Sequence, residues 1–233
     1  MANYVLIHGS FQGGWIWQPT VERLRQAGHT VYAPTMDGCA ERQRGLRVGI
    51  TATTMAKEVV DLFFYEDLED VILVGTSSGV IISKAAELAR EKIRHLVYID
   101  ALAPQPGETV ADIVIRGPNP EPYEETEFAS GPNREGMSDR LFADLEPKLK
   151  KWALDRATLH PKGASAANLD KFWDQNWLAT VIYCTGSLNP SEAHQRRTKE
   201  KLHAYWHAID AGHYPMLSHS DKTARLLMEE ISR

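Results

Sequence analysis

Short runs of consecutive apolar residues alternate along the chain with stretches in which apolar side chains return every three or four positions. The runs at 4–7, 31–33, 71–74, 96–99, 181–184 and 206–209 are short and rich in β-branched or aromatic residues, and predict strands. Helical spacing predicts the partners. Val21, Leu24 and Ala27 share one side of a segment opened by Pro19 and stopped by Gly28. Met55, Val59, Leu62 and Phe63 do the same within 54–66. Further helices are expected through Ala85, Ala86, Leu88 and Ala89, over 192–203, and over 223–231 with Leu226, Leu227 and Ile231 turned inward. Strands that are apolar throughout, rather than alternating, need helices on both faces of their sheet. The expected class is therefore α/β, with a mostly parallel doubly wound sheet.

The alternation breaks between 104 and 179. Its first part, 104–136, carries too much proline and glycine for regular core elements. Helices are expected at 141–149 and 151–159, carrying Phe142, Leu145, Leu149, Trp152 and Leu154, and Phe172, Trp173 and Trp177 extend the aromatic content. A connection of this length reads as a lid or binding insertion. The predicted organisation is a core of 1–103 and 180–233 with a helical cap at 104–179, whose aromatics could line an apolar acyl or ring pocket or pack on the core. The polar stretch 37–50, with Arg42, Arg44 and Arg47, reads as a solvated loop in preference to an arginine-lined entrance.

Composition narrows the class without choosing a reaction. A chain of 233 residues is long enough to bury an extensive core. With 26 basic against 31 acidic residues the net charge is −5, which gives no electrostatic case for nucleic acid or an anionic membrane. The two cysteines, Cys39 and Cys184, suggest neither a disulfide framework nor a zinc motif. The N-terminus shows no basic region followed by an apolar stretch and cleavage site, and no apolar run approaches the roughly 20 residues of a membrane span. A cytoplasmic enzyme acting on a small molecule is the expectation.

The candidate chemistry sits at the turn after the strand 71–74. Gly75-Thr76-Ser77-Ser78-Gly79 is a Gly-x-Ser-x-Gly pentapeptide between a strand and a helix. In that context Ser77 stands exposed on a sharp turn as a nucleophile; an ordinary Gly/Ser turn is the plain alternative. A serine hydroxyl needs a base. Of nine histidines, His213, in Gly212-His213-Tyr214-Pro215 after the last strand, is the one brought to the same sheet end. The oxyanion calls for two donors, assigned to the amides of Ser78 and of Ser10 in His8-Gly9-Ser10; His8 is expected to brace that loop. The acid is open. Chain order expects it just after 181–184, where 185–191 holds no carboxylate. Asp100, which ends the preceding strand and so lies at the active end of the sheet one position over, is preferred as the catalytic acid to Glu192, at a helix start, with Ser187 or Asn189 orienting the histidine if neither serves.

These residues, with Gly13-Gly14-Trp15-Ile16-Trp17, Gly28-His29-Thr30-Val31, Tyr98-Ile99-Asp100-Ala101 and Gly212 through Ser218, make the chain resemble the α/β-hydrolase family. The likeness is to the branch of plant methylesterases and hydroxynitrile lyases and their bacterial relatives, and extends over nearly the whole chain. The resemblance implies a doubly wound sheet with a helical cap, Ser77 as nucleophile, His213 as base and no cofactor or metal. It also implies an aspartate near Ser187, which this sequence lacks. Cyanohydrin-cleaving relatives carry a threonine after the first-strand histidine and a lysine shortly after the catalytic histidine; Gly9 and Met216 stand there. Hydrolysis of a small ester, or of a methyl carbamate on an aromatic heterocycle, is thus expected over carbon–carbon lyase activity or ligand binding alone.

Overall fold

The computed structural model describes residues 1–117 and 124–229. The chain begins with β1 (Asn3–Ile7), α1 (Gln18–Gln26) and β2 (Thr30–Tyr32), then α2 (Ala52–Tyr65), β3 (Val71–Thr76), α3 (Gly79–Leu88) and β4 (Ile93–Ile99). Short elements follow: α4 (Val110–Ile113), β5 (Ala129–Ser130), α5 (Arg134–Gly136), α6 (Pro147–Leu154), β6 (His160–Pro161) and α7 (Asp170–Trp173). The core then resumes with β7 (Ala179–Cys184), α8 (Glu192–Lys201), β8 (Tyr205–Ile209), α9 (Pro215–Ser218) and α10 (Ser220–Glu229). The main sheet has six strands in the order β2-β1-β3-β4-β7-β8. Every pairing within it is parallel.

The apolar runs are explained by where their residues point. Val5, Ile7, Val71, Leu73 and Tyr98 face a core shared with Val59 and Phe63 of α2 and Ile82 of α3. Tyr4, Leu6, Ile72, Val74 and Val97 face the other, shared with Leu24 of α1 and Leu227 of α10. Adjacent residues of one strand enter opposite cores, so a strand buried on both faces has no polar alternation to display. β3 is buried at all six positions and lies inside the sheet, which puts the turn that follows it near the middle of the sheet edge. Parallel strands deliver all their C-terminal loops to one edge, where open α/β sheets form their binding crevice.

The helix expected over 54–66 begins slightly earlier, because Thr51 and Thr54 form a reciprocal cap that satisfies the first backbone amides. The expected helices at 141–149 and 151–159 are corrected. Their place is taken by a wide π-type turn, Met137–Leu141, and by α6, which starts at Pro147. Proline offers no amide to a preceding turn and is tolerated only in the first turn of a helix, so it resets the helix start and splits the apolar pattern differently. The last helix ends at Glu229 within the described residues; Leu227 is buried, and the Ile231 expectation lies outside them.

Among the described residues, segment 104–179 keeps no separate core. Phe172, Trp173 and Trp177 join the cluster on the α2/α3 side, and Phe142, Leu145 and Ala153 join the cluster on the α1/α10 side. Arg42 pairs with Glu58, and Arg47 with Asp37, so the 37–50 stretch is an ion-paired surface loop. Among the described residues no helix is long and apolar enough to cross a membrane.

Candidate active site

Ser77 follows β3 directly, with φ 60°, a left-handed backbone that L-residues seldom adopt and that marks a local strain held by its surroundings. The flanking glycines are required by closeness. A Cβ on Gly79 would fall 2.4 Å from the Leu102 carbonyl oxygen, and one on Gly75 would fall 2.9 Å from Ile82. The turn is fastened by the Leu102 N–H, which donates to the Ser77 carbonyl at 2.9 Å. Its Ser78 N–H lies 2.5 Å from the Thr76 carbonyl. The amide that the sequence assigns to the oxyanion is therefore engaged across the turn.

Two further loops meet Ser77 at this edge. Gly9, after β1, comes so near that an added Cβ would lie 2.7 Å from Ser77 Cβ. His8 beside it donates from Nδ1 to the Gly9 carbonyl at 2.8 Å and accepts the Met36 N–H at Nε2, 3.0 Å. Both ring nitrogens are committed, and only the neutral ring can make both bonds. Burial pushes its pKa down to about 4. His8 is a brace, as the sequence reading has it.

His213, after β8, donates from Nδ1 to Asp100 Oδ2 at 2.6 Å, and the two side chains are 2% and 0% exposed. A bond this short, with no water to compete, fixes the ring orientation and leaves Nε2 for proton transfer. Asp100 directly follows β4 with φ 44° and anchors its own N–H to the Ile182 carbonyl at 2.9 Å. Burial raises its pKa; donors from His213, Ser187 and the Cys184 amide work against that rise. The Gln195 side-chain amide from α8 adds a contact to Oδ1 at 3.2 Å.

The competing acid is elsewhere. Glu192 opens α8 and pairs with Arg196 at 2.6 Å, on an exposed helix face. Ser187, where the resemblance expects an aspartate, is buried, donates its hydroxyl to the Asn189 carbonyl at 3.2 Å and accepts the Asn189 N–H, close enough to Asp100 to help hold its pKa down.

Ser77 and His213 line one cavity of about 550 Å³, together with Ser10, Phe11, Leu102 and Tyr214. Its outer wall comes from residues within 110–117 and 125–141 and includes Val114, Ile115, Met137 and Leu141 beside Arg116, Glu135 and Arg140. Phe142, Trp152, Phe172, Trp173 and Trp177 are not on that wall. Phe172 stacks on Trp177 at 5.1 Å, Trp173 bonds the Pro104 carbonyl, and Phe142 packs on Tyr214 beneath the site. Of the two readings open for these aromatics, packing on the core is the one observed: each large ring gains more by burial there than by standing at a partly solvated wall. Two supports escaped sequence reasoning. Asp144 accepts the Gly212 N–H at 2.8 Å, next to His213, and Gln195 reaches Asp100. Asp144 carries no signal, because its partner is a backbone amide 68 residues away. Gln195 carries a faint one, being a polar residue that helical spacing turns inward.

A model of the alpha/beta hydrolase family matches residues 4–226. The chain belongs to this family. Among alpha/beta hydrolase relatives, a carbendazim hydrolyzing esterase from Nocardioides sp. (strain SG-4G) is 39% identical over 122 residues, covering 52% of this chain and 50% of that one. An alpha-hydroxynitrile lyase from Arabidopsis thaliana is 29% identical over 152 residues, covering 64% and 58%. The matches thus span about half the length of these relatives. In fold, an extracellular alpha/beta-hydrolase from a Paenibacillus species superposes with a TM-score of 0.83 at 22% identity, covering 99% of both chains.

Among the described residues no group of three or more His, Cys, Asp or Glu side chains is placed to hold a metal ion.

Proposed function

We propose that the chain is a serine hydrolase that cleaves a small, neutral ester or methyl carbamate of aromatic or apolar character through an acyl-enzyme on Ser77. The observation that carries this reading is the buried 2.6 Å His213–Asp100 pair opening onto the same cavity as Ser77 on its strained turn. Catalytic roles follow for Ser77, His213 and Asp100. Residues 104–179 act as the cap over a core of 1–103 and 180–233.

The chemistry runs in two halves. Ser77 Oγ attacks the carbonyl carbon as His213 Nε2 takes its proton, and Asp100 steadies the resulting imidazolium. The Ser10 N–H is the first donor to the oxyanion, because the Ser78 N–H is engaged with Thr76 and joins only if the turn relaxes. His213 then protonates the departing oxygen or nitrogen. Water, deprotonated by His213, cleaves the acyl-enzyme and restores Ser77.

A cyanohydrin-cleaving reaction is less well supported. A side chain at position 9 would press on Ser77, and Met216 is fully buried with no cation to hold cyanide. Similarity to a carbendazim hydrolyzing esterase from Nocardioides favours hydrolysis instead.

A panel of short-chain aryl esters, aryl methyl carbamates and cyanohydrins, run with the wild type and Ser77→Ala, tests the reading. Turnover of an ester or carbamate that disappears in Ser77→Ala is expected. Turnover of cyanohydrins alone, or ester turnover that survives in the variant, would contradict it.

A further inference from the structure

Ser77 stands between two hollows of unequal size. One is the cavity of about 550 Å³; the other measures about 50 Å³. Both reach Ser10, Ser77, Leu102 and Val110, so each opens on the nucleophile. They differ in the base. His213 lines the larger hollow, whereas the walls of the smaller come from His8, Met36, Met55, Val80, Ile81 and Ala164 among others, without His213.

That difference assigns the two halves of a substrate. As the Ser77 Oγ–carbon bond forms, the serine proton passes to His213. As the carbon–oxygen or carbon–nitrogen bond to the leaving group breaks, the same proton passes to the departing atom, which must therefore lie on the His213 side. The substituent that stays on the carbonyl lies on the other side. We infer that the large cavity holds the leaving group and the small hollow holds the acyl substituent. The substrates are then bulky alcohols or aryl amines carrying a small neutral acyl group, such as acetyl or methoxycarbonyl, and not methyl esters of bulky acids. This assignment rests on the serine-hydrolase reading above and adds an orientation to it.

Volume and charge set the limits of the small hollow. A water needs about 10–15 Å³ measured in this way, so the hollow admits roughly four heavy atoms. A methyl or methoxy group enters; a phenyl or benzyl group does not. The wall bears no charge to welcome a carboxylate. His8 is held neutral by its two hydrogen bonds, and burial also pushes the pKa of His160, which lines the same hollow, down to about 3. Gly9 lies at the mouth, beside Ser77, where a side chain would narrow the entry further.

Benzyl acetate and methyl phenylacetate make the test, because they are isomers with alkoxide leaving groups and opposite placement of the ring. Wild-type kcat/KM is expected to favour benzyl acetate by about 100-fold, the scale of discrimination a confined apolar pocket gives. Equal rates, or preference for methyl phenylacetate, would overturn the orientation and leave the hydrolase reading standing. Hydrolysis of neither isomer, together with failure on every ester and carbamate of the panel, would overturn both. Met55→Ala should enlarge the hollow and raise the ratio of benzyl hexanoate to benzyl acetate turnover about tenfold. A ratio taken within one variant does not depend on how much of it is folded. An unchanged ratio would count against the small hollow as the acyl site.

Discussion

The loops leaving β4 and β7 end side by side at one edge of the sheet, yet only the first carries a carboxylate to His213. Asp100 follows β4 with no intervening residue, and its N–H is tied to the β7 strand through the Ile182 carbonyl. Ser187, three residues past β7, folds into a tight turn in which its hydroxyl donates to the Asn189 carbonyl. Neighbouring parallel strands lie about 4.8 Å apart, so an acid at the end of either one can reach the same imidazole. In the proposed mechanism it is the position of the carboxylate that matters, and in this chain the β4 loop holds it. The β4 placement has a conformational cost: Asp100 sits at φ 44°, where an L-residue loses on the order of 1–2 kcal/mol.

The strongest way to break this comparison is Asp100→Asn. Activity should fall about 10⁴-fold, the loss that follows when a serine-protease imidazole loses its acid. Adding Ser187→Asp to that variant returns the carboxylate to the other loop, and turnover should recover about 10- to 100-fold, within the range of coupling between touching residues. No recovery would mean that the β7 loop cannot reach the ring in this chain.

Stability sharpens the contrast. Burial raises the folded-state pKa of Asp100 above its unfolded value. Between those two values the folded state binds more protons than the unfolded one, so this group's contribution to stability is largest at low pH and is lost as pH rises through the folded pKa. Asp100→Asn should therefore be more stable than wild type at neutral pH in urea unfolding, with the gap closing toward the ordinary carboxylate range. A variant that is less stable at pH 7 would show that the His213 bond outweighs burial. The smallest effect belongs to Glu192→Gln, which removes an exposed pair with Arg196 worth roughly 0.5 kcal/mol; turnover should stay within about twofold of wild type.

The sheet was legible because its strands are buried on both faces and read as plain apolar runs, and the turn at Ser77 because close approaches at positions 75 and 79 admit only glycine. The acid was legible only as a preference for Asp100 over Glu192, drawn from its place at the end of a strand on the active edge. Strand order is set by which edges pair, and nothing local to Asp100 or Glu192 states that β4 lies beside β7. Glu192 also matched the expected chain order, yet Ser191 caps α8 through the His194 N–H and leaves Glu192 on the outer helix face. The 104–179 segment was legible as irregular but not in detail. Its aromatics carry the same apolar signal whether they line a pocket or fill a core, and Pro147 shifted the helices away from their apolar spacing.

Peptide mapping after treatment with a fluorophosphonate tests most directly whether Ser77, His213 and Asp100 act as one unit. A single adduct on the peptide containing Ser77 is expected, forming far more slowly in Asp100→Asn and at the wild-type rate in Glu192→Gln. An adduct at another residue, or equal rates in the wild type and Asp100→Asn, would contradict it.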